Sequence, residues 1–281
     1  MAGNERMPSL MHGKIEVIPL LDGPLPSSLN KIPDPAHRAE AERLIAKDGT
    51  GALSMPVYAF LLKFGDKRVL IDSGSGRLGY DSLGRLPERL EEANVSPDEV
   101  TDILMTHLHR DHYGGLVRGN DAAFSRANLI IHESEAQFWL NTDTSALPER
   151  ARNNVEEVRR VVALYGDRVR RVGTEEIFPG IRARPSPGHT PGHVCWEVTS
   201  EGKILLAWGD VIHISKIHLP APHIAMEYDL NPVTALQTRL SILDWVVDNN
   251  VTVAGAHLPE PGMWKVIKGE NGCELRPAAF T

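Results

Sequence analysis

The segment THLHRDHYGG (106–115) concentrates costly polar side chains within a few positions. Its candidate metal-binding side chains are His107, His109, Asp111 and His112. The first two lie two residues apart just past an apolar segment, and residues so spaced in an extended chain point the same way. The other two follow at once and can face a second point, because the next two glycines allow a tight bend. Imidazoles and a carboxylate without thiolates favour zinc, with iron and manganese as alternatives.

Three further polar residues lie in the second half of the chain, at the ends of apolar segments or in a rigid loop. They are His189 in SPGHTPGH, Asp210 at the end of KILLAWGD and His257 at the end of VTVAGAH. Taken singly, each would by default have a hydrogen-bonded structural role. A carboxylate after so apolar a strand needs a strong partner, however. Together with the first cluster, the three residues predict the remaining ligands of a two-metal site.

Composition limits the class of protein. The 281 residues are 42% hydrophobic, which is enough for a sizeable core. A net charge of -7 and a pI of about 5.9 argue against a nucleic-acid partner. Two cysteines, Cys195 and Cys273, argue against a disulfide framework and a thiolate zinc site. With neither a signal-peptide pattern nor a run of about 20 apolar residues, we expect a cytoplasmic protein that does not bind membranes.

The elements that must position these residues are two hairpins, several strands and four helices. The hairpins are VYAFLLKF with KRVLID and HVCWEVTS with KILLAWGD; further strands are DILMT (102–106) and NLIIH (128–132). Helices are predicted over about 85–94, 133–140 and 148–165, and from 231 onwards. The last has a predicted core stripe of Leu236, Leu240, Leu243 and Val247.

The two halves of the chain share a loose internal similarity of sequence pattern. In each half the second strand of a hairpin runs into an aspartate, Asp72 or Asp210, and a later apolar strand runs into a histidine. This pattern predicts two similar sheet-and-helix halves whose polar strand ends meet at one edge. We expect residues 1–281 to form a single domain. The segment 22–56, rich in Pro, Ser and Gly, is predicted to be an irregular arm that serves as a substrate lid or a subunit contact. A homodimer is therefore one of the expected possibilities.

The motifs THLHRDH with its glycines, SPGHTPGH, WGD and a late AHLP resemble, in this order, the metallo-β-lactamase superfamily of binuclear hydrolases. The resemblance implies an α/β (α+β) fold, a four-layer αββα sandwich of two mixed sheets with outer helices. It implies one metal on His107, His109 and His189, a second on Asp111, His112 and His257, and Asp210 as the bridge. It also implies that Asp72 in LIDSG braces the histidine loop. His193, the neighbour of His189 in the motif, is expected to be buried and hydrogen-bonded.

Two zinc ions so held would share a hydroxide, which needs no protein nucleophile to attack a carbonyl or phosphoryl centre. The stretch WGDVIHISKIHLP and the spacing before THLH resemble the group of N-acyl homoserine lactonases and methyl parathion hydrolase. The expected activity is therefore binuclear hydrolysis of a small-molecule lactone or ester by a metal-bridging hydroxide, with aryl phosphotriesters as a further substrate class. A glyoxalase-II-like thioesterase and a non-catalytic metal-binding module are the alternatives.

His213 completes the predicted catalytic set with Asp111 and Asp210. It lies three residues past Asp210, at a place where lactonases of this group carry a tyrosine. An extended chain would point it away from the site, whereas a turn would aim it at the cleft, where it could donate a proton. The alternative is a buried histidine bonded to a backbone carbonyl. His218 and His223 are predicted to lie on the surface, and Trp139 to pack in the core.

Overall fold

The computed structural model describes residues 8–46, 53–77, 80–145 and 149–278. Its strands are β1 (Leu10–His12), β2 (Ile15–Pro26), β3 (Ser54–Phe64), β4 (Lys67–Ile71), β5 (Asp102–Leu104), β6 (Val117–Arg118), β7 (Asp121–Ala122), β8 (Asn128–His132), β9 (Val169–Val172), β10 (Glu176–Phe178), β11 (Ile181–Pro185), β12 (Val194–Ser200), β13 (Lys203–Ala207), β14 (Thr252–Ala254), β15 (Met263–Gly269) and β16 (Gly272–Pro277). Its α-helices are α1 (Pro35–Ala46), α2 (Leu86–Glu92), α3 (Arg110–Tyr113), α4 (Glu133–Asn141), α5 (Glu149–Ala163), α6 (Ser215–His218) and α7 (Pro232–Asp248). Short 3₁₀ turns cover Leu29–Lys31, Pro97–Glu99, Gly114–Leu116, Gly166–Arg168 and Gly209–Val211.

Within these ranges the strands form two seven-stranded sheets and a small ribbon of β6 and β7. The first sheet has the order β1-β2-β3-β4-β5-β8-β9, and the second has the order β10-β11-β12-β13-β14-β15-β16. Both are mixed, because antiparallel hairpins flank parallel pairs: β4 with β5, β5 with β8 and β8 with β9 in the first sheet, and β13 with β14 in the second. The two predicted hairpins are β3–β4 and β12–β13.

Apolar cores separate four layers. One core lies between the first sheet and helices α2, α4 and α5, one between the two sheets, and one between the second sheet and α7. Successive β3 residues, Leu61 and Leu62, enter the first and second of these cores, as expected of a strand covered on both faces. The predicted αββα sandwich is therefore confirmed. No helix among the described residues is long and apolar enough to cross a membrane.

The carboxyl ends of parallel strands bring the polar residues to one edge of the sandwich. Asp72 follows β4, and the histidine segment 106–112 follows β5 after Met105. In the second sheet Asp210 lies just past β13, and His257 lies just past β14. Neighbouring parallel strands end at the same edge, so these residues converge although the chain separates them widely.

The segment 22–56 is more regular than predicted. β2 continues to Pro26 and β3 begins at Ser54, so both ends of the supposed arm belong to the first sheet. Pro24 pairs with Pro56 in register, beyond the part of β3 that β4 covers, and there the missing N–H groups cost little. Between the strands, α1 packs against α6 through an apolar cluster that includes Ile45 and Ile217. Residues 47–52 lie outside the described residues, and the assignment of the whole chain to one domain remains a prediction.

The predicted core stripe of α7 was partly wrong. Leu243 is buried, but Leu240 is 44% exposed, and the buried face also includes Ala235, Arg239 and Val246. Leu236 and Val247 are only half-buried. The helix therefore turns a neighbouring face toward the sheet. The predicted stripe missed this face because it considered only apolar residues, whereas the buried face includes Arg239.

Candidate metal centre

The first cluster depends on how the chain turns after β5. His109 has an extended backbone and precedes α3, whose first turn carries Asp111 and His112. The glycines that follow are needed for close approach: a Cβ on Gly115 would lie 1.9 Å from the carbonyl oxygen of Ser73. The backbone of the histidine loop is thus pressed against the loop after β4, which fixes where both pairs of side chains point.

The first group of converging atoms comes from His107, His109, His189 and Asp210. Nε2 of His107 lies 3.1 Å from Nδ1 of His109, which lies 2.8 Å from Nε2 of His189. Oδ2 of Asp210 lies 3.1 Å from the same His189 nitrogen. Donors about 2.0–2.1 Å from a tetrahedral zinc lie about 3.3 Å from one another. The group could hold a metal ion with small adjustments of its side chains.

The second group comes from Asp111, His112, His257 and again Asp210. Oδ1 of Asp210 lies 3.0 Å from Nε2 of His112 and 3.3 Å from Nε2 of His257. Oδ2 of Asp111 lies 3.5 Å from the His257 nitrogen and 3.8 Å from the His112 nitrogen. This group too could hold an ion. The seven residues predicted as ligands are therefore brought together as two sets that share one carboxylate.

Unsatisfied polar atoms test whether this donor set fits cations. Nε2 of His112, Nε2 of His257 and Oδ1 of Asp210 are buried and make no hydrogen bond within the described residues. A buried polar atom without a partner costs about 1–3 kcal/mol, so three in one place need an explanation. A divalent cation would satisfy all three through their lone pairs. The residues present therefore fit the two ions that the sequence predicts.

The electrostatics keep part of the set ready to bind a cation. Burial lowers the pKa of His109 to about 3, and it holds the pKa of His107 well below its usual range. Both rings are therefore neutral, which is the form that binds metals. At His189 burial opposes the charge, but the carboxylates of Asp210 and Asp229 outweigh it and raise the pKa to about 9. The imidazoles around Asp210 overcome its burial and hold its pKa well below the usual range.

Oxygen atoms hold the second ring nitrogen of four of these histidines. The pairs are His107 with Thr106 Oγ1 at 3.1 Å, His112 with Asp72 Oδ2 at 2.8 Å, His189 with Asp229 Oδ1 at 3.0 Å, and His257 with the Pro56 carbonyl oxygen at 2.8 Å. Such bonds fix the direction and the tautomer of a ligating ring. Asp72 also accepts the Thr106 N–H at 2.8 Å, so it connects the loop after β4 to the loop after β5.

The Asp229–Arg239 pair was not predicted. The Arg239 guanidinium is buried, lies 3.5 Å from Oδ2 of Asp229 and donates to the carbonyl oxygens of Val211 and Pro222. It thereby ties the brace of His189 to the segment that follows Asp210. The only sequence signal was an arginine within the apolar stretch LQTRLSIL, since a buried charge needs a partner.

His213 lies beside the shared carboxylate. The chain turns at Gly209–Val211 rather than continuing extended, and Nε2 of His213 comes to 3.3 Å from Oδ2 of Asp210. The ring is buried, and neither nitrogen has a hydrogen-bond partner among the described residues, so no bond to a backbone carbonyl is present. Burial lowers its pKa, which keeps the ring neutral. The ring also packs against Tyr228, with 4.8 Å between centroids.

Three neighbouring histidines differ in role. His193 is buried, accepts the Asp210 N–H at 3.0 Å and bonds the Ser186 carbonyl oxygen, which confirms the prediction. His223 is exposed and pairs with Glu40. The prediction for His218 was wrong: it is fully buried, because its Nδ1 accepts two backbone N–H groups at the start of α6.

Asp111, like His109, is only partly buried, whereas the other five proposed ligands are buried. Its side chain is 19% exposed, against 4% for Asp210 and His189. Trp139 is 6% exposed and packs in the core as predicted, with its ring edge-on to His109 at 5.8 Å. A cavity of about 680 Å³ lies on the other face of α3, lined by residues such as Arg110 and Tyr113 and by none of the converging ligands. The cavity is therefore separate from the converging ligands.

The arrangement of donors on two facing sheets agrees with a family comparison. Residues 54–257 match the metallo-beta-lactamase superfamily, which is more than half of the chain. The chain belongs to this superfamily. N-acyl homoserine lactonase AiiA of Bacillus thuringiensis subsp. kurstaki is 25% identical over 175 residues, which cover 55% of this chain and 63% of the relative. N-acyl homoserine lactonase AiiB of Agrobacterium fabrum is 33% identical over 101 residues, 30% of this chain and 35% of the relative. Each match spans less than two thirds of the relative.

Solved structures of the superfamily match over nearly the full chain. The hydrolase AbOPH, of the beta lactamase superfamily, superposes with a TM-score of 0.89 at 28% identity and covers 97% of each chain. AidC, described as a dizinc quorum-quenching lactonase and solved with a product, N-hexanoyl-L-homoserine, superposes with a TM-score of 0.89 at 25% identity. That match covers 99% of this chain and 100% of AidC. The agreement extends to the segment before residue 54, which the family match leaves out.

Proposed function

We propose that this superfamily member is a binuclear metal hydrolase that cleaves a lactone or ester bond of a small molecule, with aryl phosphotriesters as a further substrate class. The observation that carries the proposal is the position of Asp210. Its Oδ2 faces the group of His107, His109 and His189, and its Oδ1 faces the group of Asp111, His112 and His257. One carboxylate divided between two donor groups is suited to two cations held close together.

Zinc is the proposed metal, because imidazole and carboxylate donors without thiolate suit it. AidC, which matches this chain along its full length, is described as a dizinc enzyme. When bound, two such ions would lower the pKa of water toward 7 and polarise a carbonyl oxygen. This chemistry suits carboxyl esters and lactones, the bond class for which the lactonase relatives are named.

The chain's own residues position the reaction and move protons. Asp210 keeps both donor groups in register, and Asp72 and Asp229 hold the rings of His112 and His189 through their second nitrogens. Asp111, the most exposed of the four carboxylates, can pass a proton to solvent. The burial of the other groups excludes bulk water, which strengthens their effect on a developing charge.

His213 is proposed as a proton donor to the departing oxygen. Its ring is neutral, buried and free of hydrogen bonds among the described residues, so an N–H remains available beside Asp210. The ring would give its N–H proton to the alkoxide as it leaves and take up at its other nitrogen the proton of the attacking water, so that it stays neutral overall; general acid–base catalysis of this kind typically contributes about 10²–10⁴-fold. The need for the proton falls as the leaving group becomes less basic.

A substrate panel tests the proposed function. Zinc-loaded protein is assayed with lactones, aryl esters, thioesters and phosphotriesters, before and after removal of the metal with a chelator. We expect turnover of lactones or esters that disappears with the chelator and returns with added zinc. Turnover of thioesters alone would favour the glyoxalase-II-like alternative, and no turnover of any class would favour a metal-binding module.

Replacing His213 tests its role separately. His213→Ala is expected to lower kcat for substrates with poor leaving groups by about 10²-fold, since the proton donor is lost. The two ions should stay bound, and nitrophenyl esters should lose much less, because nitrophenolate leaves without a proton. Equal losses for good and poor leaving groups, or an unchanged kcat, would exclude the proton-donor role.

A further inference from the structure

Glu135 is a buried carboxylate to which neither the sequence motifs nor the ligand set assigns a role. It lies in the first turn of α4, is 1% exposed and accepts three hydrogen bonds. Oε1 accepts the Leu108 N–H at 2.8 Å and the Trp139 Nε1–H at 2.7 Å. Oε2 accepts the hydroxyl of Thr190 at 2.6 Å. The carboxylate is therefore fully used, and its partners belong to different parts of the chain.

Two of these partners are immediate neighbours of proposed ligands. Leu108 stands between His107 and His109 in the loop after β5, and Thr190 directly follows His189 in the loop before β12. The loops extend from different sheets, and their imidazoles converge at 2.8–3.1 Å. The two oxygens of Glu135 thus connect the two loops that supply all three histidines of one donor group.

The helix that carries Glu135 cannot shift independently of these loops. A Cβ built on Gly192 would lie 2.0 Å from the backbone nitrogen of Glu135, so the loop after His189 is in direct contact with the start of α4. Trp139 holds the carboxylate from one turn further along the same helix. The two loops are therefore connected through the buried start of α4, in addition to the backbone bond from the Val194 N–H to the Thr106 carbonyl oxygen at 3.0 Å.

From these contacts we infer that Glu135 is a positioning residue for one of the two ions. It sets the spacing between His109 and His189, and so the affinity of the group that contains them. The group of Asp111, His112 and His257 has no contact with this carboxylate among the described hydrogen bonds. The inference rests on the proposed function, because it requires that both groups bind a cation.

The test measures the two stepwise zinc dissociation constants by competition with a chromophoric chelator. Glu135→Ala is expected to weaken one of them by about 10–100-fold, the usual effect of removing a group that orients a ligand. Glu135→Gln should largely restore it, because the amide oxygen still accepts both N–H groups and the amide N–H can donate to the hydroxyl of Thr190. Thr190→Val is nearly isosteric and removes the hydroxyl that bonds Glu135, so it should weaken the same constant. It replaces Glu135→Ala as the test if that variant does not fold.

Two backgrounds identify the affected ion. In His257→Ala the first donor group remains, and the effect of Glu135→Ala should persist. In His109→Ala the second group remains, and the effect should vanish. The matched control is Glu197→Gln, since Glu197 is also buried but pairs with Arg182 and Arg184 away from the centre. It should lower the melting temperature and leave both constants unchanged.

Unchanged constants in Glu135→Ala and Thr190→Val would overturn the inference, as would an equal weakening of both ions or an effect matched by Glu197→Gln. These outcomes differ from a failure of the proposed function. If the unaltered protein does not bind two ions, or hydrolyses none of the panel substrates, the proposed function itself fails. If the unaltered protein binds two ions and hydrolyses a panel substrate, but the Glu135 variants have unchanged zinc dissociation constants, only the positioning role is wrong.

Discussion

In the first half of the molecule β4 runs parallel to β5, and in the second half β13 runs parallel to β14. Asp72 and Asp210 follow the first strand of each pair, and His107 and His257 follow the second. The same frame thus presents an aspartate and a histidine twice at one edge. The halves differ in what comes next: the first continues into four proposed ligands within six residues, whereas the second offers single ligands on separate loops.

This difference shows two ways of building one site. In the first half, an extended segment and one helical turn aim the donors, so local geometry suffices. In the second half, the donors are placed only by the sheet and by long-range bonds such as that between Asp229 and His189. Asp210 has a different position from its counterpart Asp72: it faces both donor groups, whereas Asp72 braces His112 from behind.

The largest effect should follow from changing the residue that both halves share. Asp210→Asn keeps the shape of the side chain but removes the charge that faces both groups. We expect the loss of at least one ion and a fall in turnover of at least about 10²-fold, as is typical of a well-placed electrostatic group. Steady-state kinetics and metal analysis check this. Near-normal turnover would remove Asp210 from the centre.

The counterpart aspartate should matter less. In Asp72→Asn the amide can no longer accept at both positions, from Nδ1 of His112 at Oδ2 and from the Thr106 backbone N–H at Oδ1, and a loss of about 10–100-fold in metal affinity or activity is expected. Asparagine tolerates the left-handed backbone at this position, where φ is 58°, so the fold should persist. If Asp72→Asn equals Asp210→Asn in effect, the proposed contrast between bridge and brace is wrong.

The close approach of the two loops at Gly115 can be tested by measuring the free energy of unfolding. Gly115→Ala would place a methyl group 1.9 Å from the Ser73 carbonyl oxygen, and the forced shift is expected to cost about 1–3 kcal/mol of unfolding free energy. Gly173→Ala is the control, because its backbone is not left-handed and its Cβ would meet only the side chain of Glu175, which can move. Denaturant titrations should show a larger loss for Gly115. Equal losses would mean that the close approach of the two loops does not constrain the cluster.

The smallest effect is expected in the second half, away from the centre. Burial opposes the charge of Glu197, but Arg184 and Arg182 outweigh it and lower its pKa. The stabilisation is therefore present above the usual pKa of a glutamate and is lost as the pH falls through the lowered value. Glu197→Gln should cost about 1 kcal/mol at pH 7, since both arginines are partly exposed. Thermal melts should converge with the unaltered protein in acid; a constant difference at every pH would exclude the charge pair as the cause.

Much of this architecture follows from sequence pattern alone. Alternation and turn residues predicted the hairpins β3–β4 and β12–β13, and motifs at strand ends predicted seven residues that the fold brings together. The ligands of the first half were recognisable in the sequence because the spacing of the motif determines where their side chains point. The lone ligands of the second half were identified only in combination with it and with the family resemblance.

The rest depends on contacts that no local pattern encodes. Glu135 looks like an ordinary acidic residue in the first turn of a helix, and the two partners that connect it to the ligand loops lie 27 and 55 residues away. The face of α7 was misassigned because Arg239 is buried through its pairing with Asp229, which is a tertiary contact. The prolines of β2 suggested an irregular arm, although their position at the end of the ladder allows a strand.

Metal stoichiometry measures whether the two halves jointly hold two ions through Asp210. The purified protein is supplemented with zinc, freed of excess and analysed for metal per chain, alongside His257→Ala, which lacks a donor to the second group only. We expect two zinc ions in the unaltered protein and one in the variant. One ion or none in the supplemented protein, or two in both, would contradict this expectation.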